Sequence, residues 1–448
     1  MKCVMDKNMK VKIVKKSFVV ILAVLYMFLI SACSSTSGVA TEEIGDVSPE
    51  PTPEEKQVIT EEPPKTEESQ KTEEPILDLP CTISLWHSFD ENEIESLLSV
   101  SSAYQEIQPD VEFDFMYSPK FDIKDKFENA ASTGGGPSVL IGSGEWGISF
   151  YDHSLIQDIS DLAEIELLDE VNSSALSTVQ YREALIGLPL NIKGVLMFRN
   201  ANIMPDAPES FSELIDFAQT ATTGDLVGAY LDYGLFYSAG HLEAIGGSLM
   251  DVDGNPAFND DKGIEWVEML KRFEEMGPIE HNNDNDLNLF REQRVGIIID
   301  HLSNAPELAD LIGIDNFRID LWPVDMSGFV QSDIIYLNAN LTEHDLDCGW
   351  SFVEYLLSAD AQEMFSDPVK AGFIPSVSGV DLKDPLQSQA ARAFENGTPL
   401  PVNPEMSVYW DPLNFALQSA VEFGVNPADA LSAAEASILA QISELRQE

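Results

Sequence analysis

One stretch limits what this chain can fold into: residues 184–200, ALIGLPLNIKGVLMFRN. Leu185-Ile-Gly-Leu-Pro reads as an apolar strand that stops at Pro189, because proline has no amide hydrogen for a sheet ladder. Gly194-Val-Leu-Met-Phe restarts as a second buried strand. The polar Asn191 and Lys193 lie between the two. A strand needs such a polar break when it leaves one core and enters another. The stretch therefore reads as a crossing between two lobes.

Length agrees, since 448 residues exceed what one hydrophobic core usually supports. From Cys33 onward, 19 basic residues face 76 acidic ones. Such a field repels nucleic acid and anionic membrane surfaces, and it describes an acidic extracytoplasmic protein with solvated charged faces. Residues 1–32 read as a signal peptide: Lys2, Lys7, Lys10, Lys12, Lys15 and Lys16 precede the apolar run 18–30, too short for a membrane span. The run ends in Leu29-Ile-Ser-Ala-Cys33, similar to a bacterial lipobox, so Cys33 is expected to carry the lipid that anchors the protein to the cell membrane. Residues 33–79 are Ser, Thr, Glu and Pro and cannot bury a core; they read as a disordered linker reaching about 40 Å. The export route permits a disulfide between the remaining Cys81 and Cys348, and two buried thiols are equally open.

From residue 81 the periodicity reads strand, helix, strand, helix, strand. Cys81-Thr-Ile-Ser-Leu-Trp86 leads into a polar loop, Asp90 caps a helix over 91–107 (Ile94, Leu97, Leu98, Tyr104), and Val111-Glu-Phe-Asp-Phe-Met alternates. A helix over 120–131 and a strand at Ser138-Val-Leu-Ile follow. This order predicts a parallel sheet, with ligands expected beyond the carboxyl ends of its strands, at loops 87–91 and 142–146. Further on, 260–275 reads as a helix, Arg294-Val-Gly-Ile-Ile-Ile as a buried strand and 404–445 as mostly helical.

Ile83-Ser-Leu-Trp-His, Gln108-Pro-Asp-Val-Glu, Ser132-Thr-Gly-Gly-Gly-Pro-Ser-Val, Met197-Phe-Arg-Asn-Ala, Ala207-Pro-Glu-Ser-Phe-Ser-Glu-Leu, Ala244-Ile-Gly-Gly-Ser-Leu-Met-Asp, Gly372-Phe-Ile-Pro-Ser and Met406-Ser-Val-Tyr-Trp occur in this order across 80–448. Together they resemble the maltose-binding-like solute-binding proteins of bacterial ABC importers. The resemblance implies an α/β, two-lobe periplasmic-binding-protein-like (type II) fold with hinge crossings near 191–194, 328–333 and 375–379. The lobes would be 80–190 plus 331–374 and 191–330 plus 375–448. It implies a monomeric, non-enzymatic receptor that passes a small-molecule ligand, a sugar or oligosaccharide, to ABC permease subunits.

Sugar sites need aromatic faces and short polar groups. Trp86, Trp146, Tyr233, Tyr237 and Trp410 fall at expected loops or helix starts, with packing in the core as the alternative. Tyr233 and Trp410 sit where the resemblance places stacking aromatics, and Asp90 and Glu145 where it places hydroxyl-binding carboxylates. Two places depart from the pattern. Asp300-His-Leu-Ser303 stands where a tryptophan is common, and Lys193 where a carboxylate is expected; Lys193 either pairs with a lobe carboxylate or meets an acidic ligand. Asp251-Val-Asp-Gly-Asn reads as a hairpin turn rather than a calcium loop, and no motif points to a metal or cofactor. A carboxylate-dependent glycoside hydrolase and a sensory or adhesive lipoprotein are the alternatives.

Overall fold

The computed structural model describes residues 80–447. The leader, Cys33 and the linker of residues 33–79 lie outside the described residues. Pro80 onward belongs to one compact unit, which carries two large sheets of five and seven strands and two small two-stranded ones.

The first strand, Cys81–His87, points Cys81, Ile83 and Leu85 into one core while Thr82 faces solvent. It pairs in parallel with Val111–Tyr117 on one side and Val139–Ser143 on the other. Asp333–Leu337 then runs antiparallel to Val139–Ser143, and Leu188–Pro189 closes the edge. The helix Glu91–Ile107 starts at a complete capping box: Asp90 accepts from the amides of Asn92 and Glu93, and Glu93 accepts from the amide of Asp90. It buries Leu97, Val100 and Tyr104, whereas Leu98 is 47% exposed and is not part of the core stripe. Cys81 and Cys348 are joined as a disulfide, which ties the first strand to the helix Glu343–Leu356. That settles the choice the sequence left open.

The second sheet is built on Asn191–Asn200. Its even-numbered Ile192, Leu196 and Phe198 enter one core with Phe290, Ile298 and Phe317, while Val195 and Met197 enter another with Tyr233, Ile297 and Leu413. Burial on both faces explains why the stretch reads as a near-continuous apolar run. Successive parts of this strand pair with Ile374–Pro375, Phe329–Gln331, Val295–His301 and Phe317–Asp320. Inside the lobe, Arg199 and Asp320 form a buried bidentate ion pair.

The chain crosses between the sheets at three places: Leu190, Ser332 between Phe329–Gln331 and Asp333–Leu337, and Ile374–Pro375. Buried Gln362 binds the first and third together, donating to the Leu190 carbonyl (3.0 Å) and accepting from the Ser376 amide (3.1 Å). The Ser376 hydroxyl donates to the Pro189 carbonyl at 2.6 Å.

Two local readings need correction. The segment 185–189 is not one strand: Ala184–Leu185 turns back to pair with Gln180–Tyr181, and only Leu188–Pro189 joins the main sheet. Gly187 sits at the break because a Cβ there would lie 2.9 Å from the Ile335 carbonyl oxygen. The helix expected over 260–275 tightens from Asp261–Lys271 into a 3₁₀ turn at Arg272–Glu275.

Gly194 is the one hinge-strand residue that no side chain can replace. Its φ is +151°, and a Cβ would overlap the Phe329 carbonyl oxygen of the neighbouring strand. Gly194→Ala is expected to lower stability by about 2 kcal/mol or more, read as a fall in thermal midpoint. An unchanged midpoint would show that the strands can separate there freely.

Candidate functional site

The carboxyl ends of three parallel strands open on the same edge of the first sheet. From there come Asp90 after Cys81–His87, Lys120 after Val111–Tyr117, and the turn Gly144–Trp146 after Val139–Ser143. Below them lies the crossing. Asn191 donates to Asp333 Oδ2 (2.8 Å) and accepts from the Asp333 amide (3.0 Å). Lys193 donates to Asp333 Oδ1 at 2.6 Å. Lys193 thus pairs with a lobe carboxylate, and it still lines a cavity of about 480 Å³. Asp90, Glu93 and Asp333 border this cavity from one side, His301 and Ser303 from the other.

On the second lobe, helix Leu235–Ala244 brings Phe236 into its first turn. Phe236 is the hub of a half-buried aromatic group: its ring centre lies 6.4 Å from Trp410, 6.4 Å from His301 and 5.4 Å from Tyr237, with Phe329 beneath at 6.3 Å. His301 ends the strand Val295–His301 and accepts at Nδ1 from the Ser303 amide (3.2 Å), which puts its remaining proton on Nε2. Burial, then the charges of Lys193 and Lys120, push its pKa down to about 4. At neutral pH His301 is therefore an uncharged donor, suited to a hydroxyl oxygen. Across the gap, the Glu145 turn meets the second lobe: a Cβ at Gly144 would lie 3.6 Å from Val402, eight residues before Trp410.

The structure therefore brings Asp90 and Lys193 to one cavity with His301, and places Tyr237 and Trp410 in the aromatic group that His301 borders, while Glu145 is exposed on its turn. Asp90 also spends Oδ1 on its helix cap. The other candidates sit elsewhere. Tyr233 is fully buried: it stacks on His281 and donates to Glu422 at 2.5 Å, a core position before the helix begins. Asp300 is 6% exposed and accepts from the His301 amide and Asn304, so it shapes the loop that presents His301. Trp86 lies within the first strand rather than in a loop and packs against the first core. Trp146 lies over Gly142 and beside Phe150. Phe236 was not legible in the sequence, because which of residues 233–237 faces out depends on the helix starting at Leu235. Among the described residues no cluster of His, Cys, Asp and Glu could hold a metal ion, and no helix is long and apolar enough to cross a membrane.

Behind the aromatic group lies a buried carboxylate cluster. The amide of Asp286 donates to Glu280 Oε2 (3.1 Å), and Asp232 accepts from the Gly234 amide (2.6 Å), fixing the start of the Phe236 helix. Asp232, Glu280 and Asp286 are each at least 95% buried. Burial, then the neighbouring Glu280 charge, pushes Asp286 up to about 9, and burial pushes Asp232 up to about 7.

Residues 100–395 match the family model described as Bacterial extracellular solute-binding protein. The chain belongs to that family. It is 23% identical to the maltotriose-binding protein of Pyrococcus abyssi, over 76% of this chain and 77% of that one. It is 22% identical to the galactooligosaccharide-binding protein of Bacillus subtilis, over 69% of this chain and 78% of that one. The fold matches the extracellular solute-binding protein of Staphylococcus aureus, solved in complex with maltose, with a TM-score of 0.75 at 20% identity, covering 82% of this chain and 99% of that one. It is the maltose-binding-like α/β fold, and its family is one of binding proteins rather than enzymes.

The cluster gives this solute-binding protein a pH dependence. Burial and the Glu280 charge hold the Asp286 carboxyl at about 9 in the fold, far above the ordinary 3.8 that it regains on unfolding. The folded state then holds more protons than the unfolded one between these values, so stability falls as pH rises through that window. The thermal midpoint is expected to drop steadily towards pH 9, and Asp286→Asn to flatten the slope. A variant with the wild-type slope would mean that this carboxyl is ionised in the fold.

Proposed function

We propose that this protein is the receptor of an ABC importer that captures a sugar or oligosaccharide between its two lobes. The observation that carries this reading is His301, which lines one cavity with Asp90, Lys193 and Asp333 and borders the aromatic group of Phe236 and Trp410. Aromatic faces suit the C–H face of a pyranose, and carboxylates, an ammonium and a neutral imidazole suit its hydroxyls. The Pyrococcus and Bacillus relatives, a maltotriose-binding and a galactooligosaccharide-binding protein, point the same way. The moving bodies are residues 80–190 plus 331–374 and 191–330 plus 375–448. A ligand touching both exists fully bound only in the closed state, so binding shifts the population towards closure.

Delivery to permease subunits follows from this role, as does tethering by a lipidated Cys33 through the acidic linker of residues 33–79. A monomer suffices, since the site is complete within one chain.

Isothermal titration against malto- and galacto-oligosaccharides tests the reading. Tight one-to-one binding with no change of the sugar by mass spectrometry is expected, and hydrolysis products or no binding to any saccharide would contradict it. Phe236→Ala and Trp410→Ala should each weaken binding about tenfold or more while the fold persists. Full-strength binding by both would remove the aromatic group from the site. In cells, Cys33→Ala should move the protein from the membrane fraction to the medium or periplasm; retention would mean that the leader itself is the anchor.

A further inference from the structure

Asp251-Val-Asp-Gly-Asn is a hairpin turn, and the site described above leaves it without a role. The Asp251 amide donates to the Asn255 carbonyl (2.8 Å), and Met250 pairs with Pro256 beyond them. The turn is fixed from several sides. The Asp251 carboxylate accepts from the amides of Asp253 (3.0 Å) and Asn255 (2.9 Å), Arg446 donates to Asn255 Oδ1 (3.1 Å), and the Tyr409 hydroxyl donates to the Gly254 carbonyl (2.9 Å). Its tip nonetheless stands in water: Val252 is 90% exposed, and the Asp253 carboxylate has no hydrogen bond or ion pair among the described residues. The turn lines a groove of about 930 Å³ whose other wall belongs to the first lobe. There Gln180–Tyr181 pairs with Ala184–Leu185, and Arg182 stands at the tip of that hairpin with φ +55°. The Arg182 side chain is 72% exposed; its guanidinium lies 4.6 Å over the Tyr181 ring and reaches Asp152 only at 3.8 Å. This groove shares no lining residue with the cavity at Lys193.

We infer that Arg182 and the turn 251–255 form a latch between the lobes: on closure Arg182 leaves Asp152 and pairs with Asp253, and Val252 takes its place against the Tyr181 ring. This rests on the two-lobe receptor reading above and adds what holds the closed state together. With 77 acidic residues against 25 basic ones, two closing lobes bring like charges together unless a cation stands between them. Two arginines line the groove, and Arg446 is already spent on Glu405 at 2.9 Å, so Arg182 is the one left free to swing. The fixed turn matters as well. Ordering a loose loop would cost more conformational entropy than one surface ion pair returns, whereas Asp253 is already held in place. The latch touches no ligand. It therefore raises affinity through the population of the closed state and leaves the choice of sugar unchanged.

The test is titration of the full-length protein, wild type, Arg182→Glu, Asp253→Arg and the double variant, with malto- and galacto-oligosaccharides. Each single variant should bind up to about fivefold more weakly, with the same ranking of sugars, and the double variant should return towards wild type because it restores the pair in reverse. High salt should shrink these differences. Both side chains are exposed, so loss of folding does not cloud the result. Single variants that bind like wild type, or losses that add in the double variant, would overturn the latch and leave the receptor reading standing. Carbodiimide coupling in Arg182→Lys, mapped by peptide mass spectrometry, gives a readout that needs no sugar. Residues 182 and 253 should be joined, in higher yield once sugar is bound. Coupling of residue 182 to residue 152 alone, with or without sugar, would overturn the latch. A wild type that binds no saccharide would overturn the receptor reading, and the coupling would still decide whether the two turns meet.

Discussion

The structure depends on one polar contact inside an apolar strand. Asp333 begins the return into the first lobe, and Asn191 and Lys193 begin the strand into the second. Three hydrogen bonds join these residues, two of them to the Asp333 carboxylate and one of those from the Lys193 ammonium, and they hold two of the three crossings side by side. Both charges are only partly exposed, so neither is fully hydrated, and each needs the other. The same ion pair forms the floor of the cleft. In the receptor proposed above, a ligand hydroxyl that reaches Lys193 or Asp333 would act on the hinge directly and couple binding to closure without a relay.

The rest of the architecture keeps that contact from being averaged away. Gln362 and Ser376 bind the third crossing to the first, and Gly194 lets the adjacent strands approach as closely as the pairing requires. The disulfide Cys81–Cys348 lies within the first lobe, and the Arg199–Asp320 pair within the second. Each lobe is thus stiffened internally while only short segments join them. This is the division of rigidity that hinge motion needs.

Much of this was legible in the sequence, and the failures have physical causes. The helix Glu91–Ile107 and the three parallel strands were readable because periodicity and a capping Asp90 agreed. The break at Asn191 and Lys193 was readable because polar residues rarely interrupt a strand buried on both faces. Tyr233 and Phe236 show the limit. They lie three residues apart, yet Gly234 starts a helix between them, and that turn sends Tyr233 to the core and Phe236 to the cleft. Hydrophobic pattern cannot resolve a helix start to one residue. Asp300 was a similar case: the strand's alternation fixes which of Asp300 and His301 faces inward, but a sequence gives no sheet faces until the partners are known. The burial of Asp232, Glu280 and Asp286 together was invisible, because the three are brought to one place only by tertiary folding.

In the proposed receptor, ligand binding closes two rigid lobes about the Asp333 contact. Pulsed electron resonance between spin labels at Asp125→Cys on the first lobe and Asp216→Cys on the second, both exposed positions, measures it directly. The chain used begins after Cys33, so that the labels are the reactive thiols. A saturating oligosaccharide is predicted to replace a broad, longer distance distribution by a narrower, shorter one, and Asp333→Ala to broaden it again. A single distribution that does not change when the sugar is shown to be bound would contradict the account.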